Sequence, residues 1–173
     1  MELCEGGEFF DAIMEDHFFN EDRTSSVVRQ IASALSYLHE NNVAHGYLKP
    51  ENILYLDKER TQIKVMDFGL GETLGVECHG IHYVAPEVLF SMRKSEDRPD
   101  AKKADLWSLG VMIYVLLCGY LPFYREDRNL TYRLIRIGKF EFDPEEWAEI
   151  SQEAKDLISS LLTKDVEKRL TAV

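Results

Sequence analysis

Apolar residues recur at Val27, Val28, Ile31, Leu35 and Leu38, a spacing that lays one stripe along a helix in a stretch rich in Ser, Ala and Gln. Asn41-Asn42 supplies the stop. Two short β-prone runs follow, residues 53–56 and 62–65, on either side of the polar turn Asp57-Lys58-Glu59-Arg60, and they predict a small hairpin. Residues 91–101 are charged, contain Pro99 and show no apolar periodicity, so they are expected to form a surface loop. Residues 104–117 are apolar nearly all round, the pattern of a helix buried on every side, with Trp107, Met112 and Tyr114 packed in the core. Two further helices are predicted around residues 129–137 and 151–162. There is no internal repeat and no low-complexity tract, which argues against a second domain.

Composition narrows the partners. At 173 residues the chain suits one domain, and its net charge of −11 disfavours nucleic acid and anionic membrane while suiting basic peptides or proteins. Cys4, Cys78 and Cys118 are odd in number and lack C-x-x-C spacing, which fits a reducing, cytoplasmic or also nuclear, compartment better than a disulfide framework. The longest apolar run, residues 111–118, is too short to cross a bilayer, and the N-terminus carries no apolar signal core. No D-x-D-x-D-G calcium loop occurs.

The chemistry-bearing stretch is His45-Gly46-Tyr47-Leu48-Lys49-Pro50-Glu51-Asn52. Fifteen residues past Asn52 stands the Asp of Met66-Asp67-Phe68-Gly69, followed by Ala85-Pro86-Glu87, then Asp105-Leu106-Trp107-Ser108-Leu109-Gly110, and finally Lys168-Arg169-Leu170. In this order and spacing the elements resemble the catalytic loop, D-F-G, A-P-E, central buried helix and late arginine of protein kinases. Residues 1–11 and 116–123 further resemble the calcium/calmodulin-dependent and calcium-dependent branch of Ser/Thr kinases. The resemblance implies an α+β, mainly α-helical fold, a protein kinase-like C-terminal lobe without the N-terminal β lobe. Residues 1–173 would form one domain, with 1–6 as hinge, 43–87 as catalytic loop and activation segment, and 102–173 as helical subdomain.

The same resemblance implies ATP and Mg2+ as cofactors. Asp67 and Asn52 match the metal ligands, Lys49 the lysine that meets the terminal phosphate, Leu54 the floor beneath adenine, and Glu2 and Leu3 the hinge backbone. Glu8 and Glu51 resemble acids that receive arginines of basic substrates. His45, Phe68, Glu87, Asp105 and Arg169 match structural positions: the histidine packs under Phe68 and takes a bond from Asp105 or nearby backbone, and Glu87 pairs with Arg169. A zinc site at Cys78, His79 and His82 lacks a second cysteine cluster and is set aside.

Departures from the H-R-D-L-x-x-x-N pattern lie at its centre. Tyr47 stands in place of the catalytic Asp, and a phenol of pKa ~10 is neutral at pH 7, so it is no anionic proton acceptor. Gly46 replaces the arginine that clamps a phosphorylated loop, Gly80 replaces a threonine that bonds the catalytic Asp, and the hydroxyls between Asp67 and Glu87 are Thr73 and Tyr83. No glycine-rich loop or V-A-I-K lysine is present. The expectation is a catalytically impaired pseudokinase or protein-interaction module. The alternative is a fragment of a longer kinase that phosphorylates basic protein substrates when complete. A third reading, a product that does not fold stably, rests on an apolar hinge face left open around Leu3, Phe9 and Leu54.

Overall fold

The computed structural model describes residues 2–69, 81–91 and 99–173. Along them run β1 (Gly7–Glu8), α1 (Phe9–Asp16), α2 (Glu21–Glu40), β2 (Ile53–Tyr55), β3 (Ile63–Val65), α3 (Pro86–Ser91), α4 (Ala101–Cys118), α5 (Arg128–Ile137) and α6 (Gln152–Leu161). Single 3-10 turns lie at Pro50–Asn52 and Ile81–Tyr83. No helix among the described residues is long and apolar enough to cross a membrane.

Side chains that serve as caps set the helix starts. The Asn20 side chain accepts from the Arg23 amide at 2.9 Å, and Asp100 accepts from the amides of Lys102 and Lys103 at 2.9 and 3.3 Å. Helix α2 buries Val27, Ile31 and Leu35, the stripe expected of it, together with Thr24 and His39. Helix α4 is buried without a break from Leu109 to Leu117, so burying it supplies much of the apolar stabilisation, roughly 1.5–3 kcal/mol per large side chain. Helices α2 and α6 pack on it. Gly110 permits that approach, because a Cβ there would stand 2.9 Å from Cβ of Leu161 and 3.0 Å from Cδ2 of Leu162. Trp107 and Met112 are fully buried, Tyr114 nearly so, and Trp107 stacks on Phe123 at 5.4 Å.

The expected hairpin forms, and β1 adds a third strand to it, giving antiparallel order β1-β2-β3. A two-residue strand containing glycine has no periodicity to read, which is why the sequence pattern shows two strands. Glu8, Leu54 and Lys64 pair across the sheet in one row, while Ile53 and Tyr55 turn to the buried side.

One expectation is corrected here. Phe9 is not part of an open hinge face: it is fully buried as the first residue of α1, with its ring 5.9 Å from Phe19 and 5.5 Å from Tyr55. Leu3 is 76% exposed and Leu54 half-buried. The loop expected at residues 91–101 lies largely, and the readings of Thr73, Cys78, His79 and Gly80 wholly, outside the described residues.

Candidate functional site

Asp105, one turn into the buried helix α4 and 1% exposed, organises the loop that carries Tyr47. Its Oδ2 accepts from the His45 amide and from Nε2 of His39, each at 2.8 Å, and its Oδ1 accepts from the Gly46 amide at 2.8 Å. Here the aspartate is the acceptor and the His45 backbone the donor, the reverse of the direction expected for that pair. A buried carboxylate is tolerated because three N–H groups surround it. Gly46 sits at φ 73°, the left-handed region, so glycine relieves backbone strain where the two amides must both turn toward one carboxylate.

His45 is fully buried, and its Nδ1 accepts from the Tyr47 amide at 3.2 Å, which places the ring proton on Nε2. Burial holds its pKa below the usual histidine value, with the charges of Asp105 and Asp67 acting in the opposite direction. Phe68, expected to close over this histidine, is 55% exposed. It follows Asp67, whose φ of 59° lies in the left-handed region, and the Gly69 amide donates to the His45 carbonyl at 2.9 Å.

Asn52 ties the loop to the sheet. Buried, it donates from Nδ2 to the Tyr47 carbonyl at 2.7 Å, and its own carbonyl accepts from the Met66 amide at 2.9 Å, next to Asp67. With Nδ2 engaged, Oδ1 is the atom Asn52 has to offer a cation. An amide oxygen and an exposed carboxylate are hard donors of the kind Mg2+ takes, and a cation there would draw its other ligands from nucleotide phosphates and water. In donor chemistry the pair fits such a cation. No cluster of three or more His, Cys, Asp or Glu able to hold a metal occurs among the described residues.

Lys49 does not point free into the site. Its Nζ lies 4.5 Å from the centroid of the Tyr47 ring and 3.8 Å from Glu51 Oε1. The Tyr47 ring thus holds the lysine by cation–π attraction. Beside them a cavity of about 80 Å³ is lined by Tyr47, Lys49, Tyr83, Val84, Val88 and Ser108. Tyr83 is held by a bond from Ser108 Oγ to its carbonyl at 2.8 Å, and burial raises its phenol pKa, with the Glu51 charge adding to the effect.

The remaining sequence-predicted positions fall in two places. Glu2 bonds Lys64 Nζ beside the Leu54 row, and Glu8 is exposed at the start of α1, which packs on the 3-10 turn bearing Glu51. Glu87 and Arg169 meet far along the chain: Nη1 donates to Oε1 at 2.6 Å and Nη2 to Oε2 at 2.9 Å. Arg169 also donates to the carbonyls of Thr163 and Lys103, each at 2.9 Å, and stands 5.2 Å over Trp107. His39 was missed by the sequence reading. The available signal was a histidine in step with Ile31 and Leu35 on the buried face of α2, where a polar residue needs a partner.

The model described as protein kinase domain matches residues 1–173. Calcium/calmodulin-dependent protein kinase type 1 of Caenorhabditis briggsae is 44% identical over 178 residues, covering 99% of this chain and 48% of the relative. The human type 1B protein is 45% identical over 177 residues, covering 99% of this chain and 50% of the relative. The crystal structure of Rad53 1-466 in complex with AMP-PNP superposes with a TM-score of 0.84 at 35% identity, covering 99% of this chain and 43% of that one. The chain spans about half the length of the curated relatives it matches.

Proposed function

The chain belongs to the protein kinase family, and on that premise we propose that it is a kinase-type large lobe that binds protein without efficiently transferring phosphate. One observation supports the reading: the ring of Tyr47, the residue that the motif aligns with the family's catalytic Asp, holds the ammonium of Lys49 at 4.5 Å. General-base assistance is worth about 10²–10⁴ in rate, and a neutral phenol supplies none of it. A lysine paired with the ring and Glu51 is also drawn away from a terminal phosphate.

ATP and Mg2+ are the cofactors this family implies. Asn52 and Asp67 would hold the metal, Leu54 would lie beneath the adenine, the backbone of Glu2 and Leu3 would meet its edge, and Lys49 would face the phosphates after leaving the Tyr47 ring. The metal, when bound, neutralises charge on the phosphates. The chain's own part is to fix that oxygen pair through the Met66 to Asn52 bond and to keep His45 neutral beneath the loop. Glu8 and Glu51 would receive a basic segment of the protein partner.

The experiment is transfer from labelled ATP to a basic peptide, run beside stoichiometric capture of such a peptide. Capture without incorporation supports the proposal. Robust incorporation that Asp67→Ala abolishes refutes it. A second reading is favoured by the coverage of about half of each relative: the chain is part of a longer calcium/calmodulin-dependent-type Ser/Thr kinase that phosphorylates basic protein substrates. An in-frame glycine-rich loop and strand lysine in the coding sequence ahead of Met1 would select it.

A further inference from the structure

Helix α5 carries three arginines and no carboxylate within its ten residues. Arg128, Arg133 and Arg136 lie within it, against a net charge of −11 for the whole. Among the described residues none of the three is ion-paired. Arg128 lies 5.6 Å over the Tyr132 ring, and Arg136 lies 4.7 Å over the ring of Phe90, which α3 presents. The carboxylates next in sequence are spoken for or displaced to one end: Asp127 caps the helix by accepting from the Asn129 amide, Glu126 precedes it, and Glu141 pairs with Lys139 at 3.3 Å.

Apolar side chains are interleaved with these cations. Thr131 and Ile135 point into the core, whereas Leu130, Arg133 and Ile137 follow the three-four spacing of a single outward stripe. Leu130 is 39% exposed, Ile137 49% and Phe90 42%. Scattered exposed apolar residues are ordinary, but here three of them border two unpaired guanidinium groups on one face. Arginine presented by an aromatic ring is already stripped of part of its water and oriented, which suits it to a carboxylate at an interface.

We propose that the outer face of α5, with Phe90 of α3, is a docking surface for an acidic, amphipathic helical segment of a partner protein. Carboxylates of the partner meet Arg133 and Arg136, and its apolar side chains cover Leu130, Ile137 and Phe90. Charge complementarity commits the surface to this occupant: a basic or neutral segment would leave the guanidinium groups unpaired on association. The surface deepens the protein-binding role proposed above, yet it is separate from Glu8 and Glu51, which would take a basic segment.

The test uses fluorescence polarisation of a labelled eighteen-residue helical peptide with leucine along one face and glutamate on its flanks. Two control peptides carry lysine for glutamate, or alanine for leucine. The expected result is saturable binding of the first peptide that weakens with salt, and at least tenfold weaker binding of both controls. The double variant Arg133→Glu/Arg136→Glu should lose at least tenfold in affinity while keeping the parent's thermal transition. If that variant fails to fold, Arg133→Gln/Arg136→Gln takes its place. Arg29→Glu on α2 and Glu8→Lys/Glu51→Lys should leave this binding unchanged, so failure of the α5 surface is distinguishable from failure of the basic-peptide site. The proposal is overturned by absent binding or equal binding of the lysine peptide. It is equally overturned by an unaffected double variant, by competition from phosphatidylserine vesicles, or by a dimer of the parent chain that the double variant dissolves.

Discussion

Replacing Asp105 by Asn tests whether one buried carboxylate holds the loop in place. Asp105 Oδ2 serves two donors, His39 Nε2 and the His45 amide, and Oδ1 serves the Gly46 amide. An asparagine keeps one oxygen. With that oxygen at the Oδ2 position, its NH2 group faces the Gly46 N–H, donor against donor, and the other two bonds lose their charge assistance. Leaving a buried donor unsatisfied costs about 1–3 kcal/mol, and each of the two bonds to a charged acceptor is worth about 1 kcal/mol more than a neutral one, so the loss should be about 3–5 kcal/mol. For a domain of this size each kcal/mol moves Tm by roughly 2–4 °C, giving a fall of roughly 6–20 °C. Equilibrium urea unfolding supplies the free energy, and amide exchange at His45 and Gly46 reports where it acts. A loss under about 1 kcal/mol, or unchanged exchange at those two amides, would refute the assignment of Asp105 as the loop's anchor.

Other outcomes follow from the same geometry. Glu87→Ala strands the guanidinium of Arg169 in the core and should cost about 3–5 kcal/mol in urea unfolding, with the double variant Glu87→Ala/Arg169→Met recovering part of it. Tyr47→Asp replaces the ring that holds Lys49 with an acceptor; on the second reading, with a glycine-rich loop and strand lysine supplied ahead of residue 1, it should raise transfer to a basic peptide by about 10²–10⁴, and an unchanged rate would count against a missing base as the defect. His45 has a folded pKa below its unfolded value of 6.5, so on acidification the unfolded chain takes up its proton first. Stability should therefore be insensitive to this group above pH 6.5 and fall as pH drops below that value. Urea midpoints between pH 5 and 7.5 should show the slope, and His45→Gln should flatten it if His45 rather than His82, also lowered by burial, is responsible.

Much of the fold was legible because its elements announce themselves locally. The stripe at Val27, Ile31 and Leu35, the all-round apolarity of residues 104–117 and the polar turn at Asp57-Lys58-Glu59-Arg60 each carry a period or a turn chemistry that operates over a few residues. Strand β1 carried neither, and Phe9 looked like part of an open face because hydrophobicity alone does not say whether a residue begins a helix that turns it inward.

For the candidate site, the chain by itself determined which chemical groups are available: Tyr47 without an anionic oxygen, Gly46 without a guanidinium, and Lys49, Asn52 and Asp67 retained in their spacing. Tertiary structure decided what those groups touch. His39 and Asp105 are separated by 66 residues and Glu87 and Arg169 by 82, and only packing on α4 brings each pair within bonding distance. The capture of Lys49 by the Tyr47 ring and the seating of Arg136 over Phe90 are likewise facts of proximity. Local sequence sets conformational preference and chemistry, whereas the partners of buried and charged groups are chosen by which surfaces the folded core presses together.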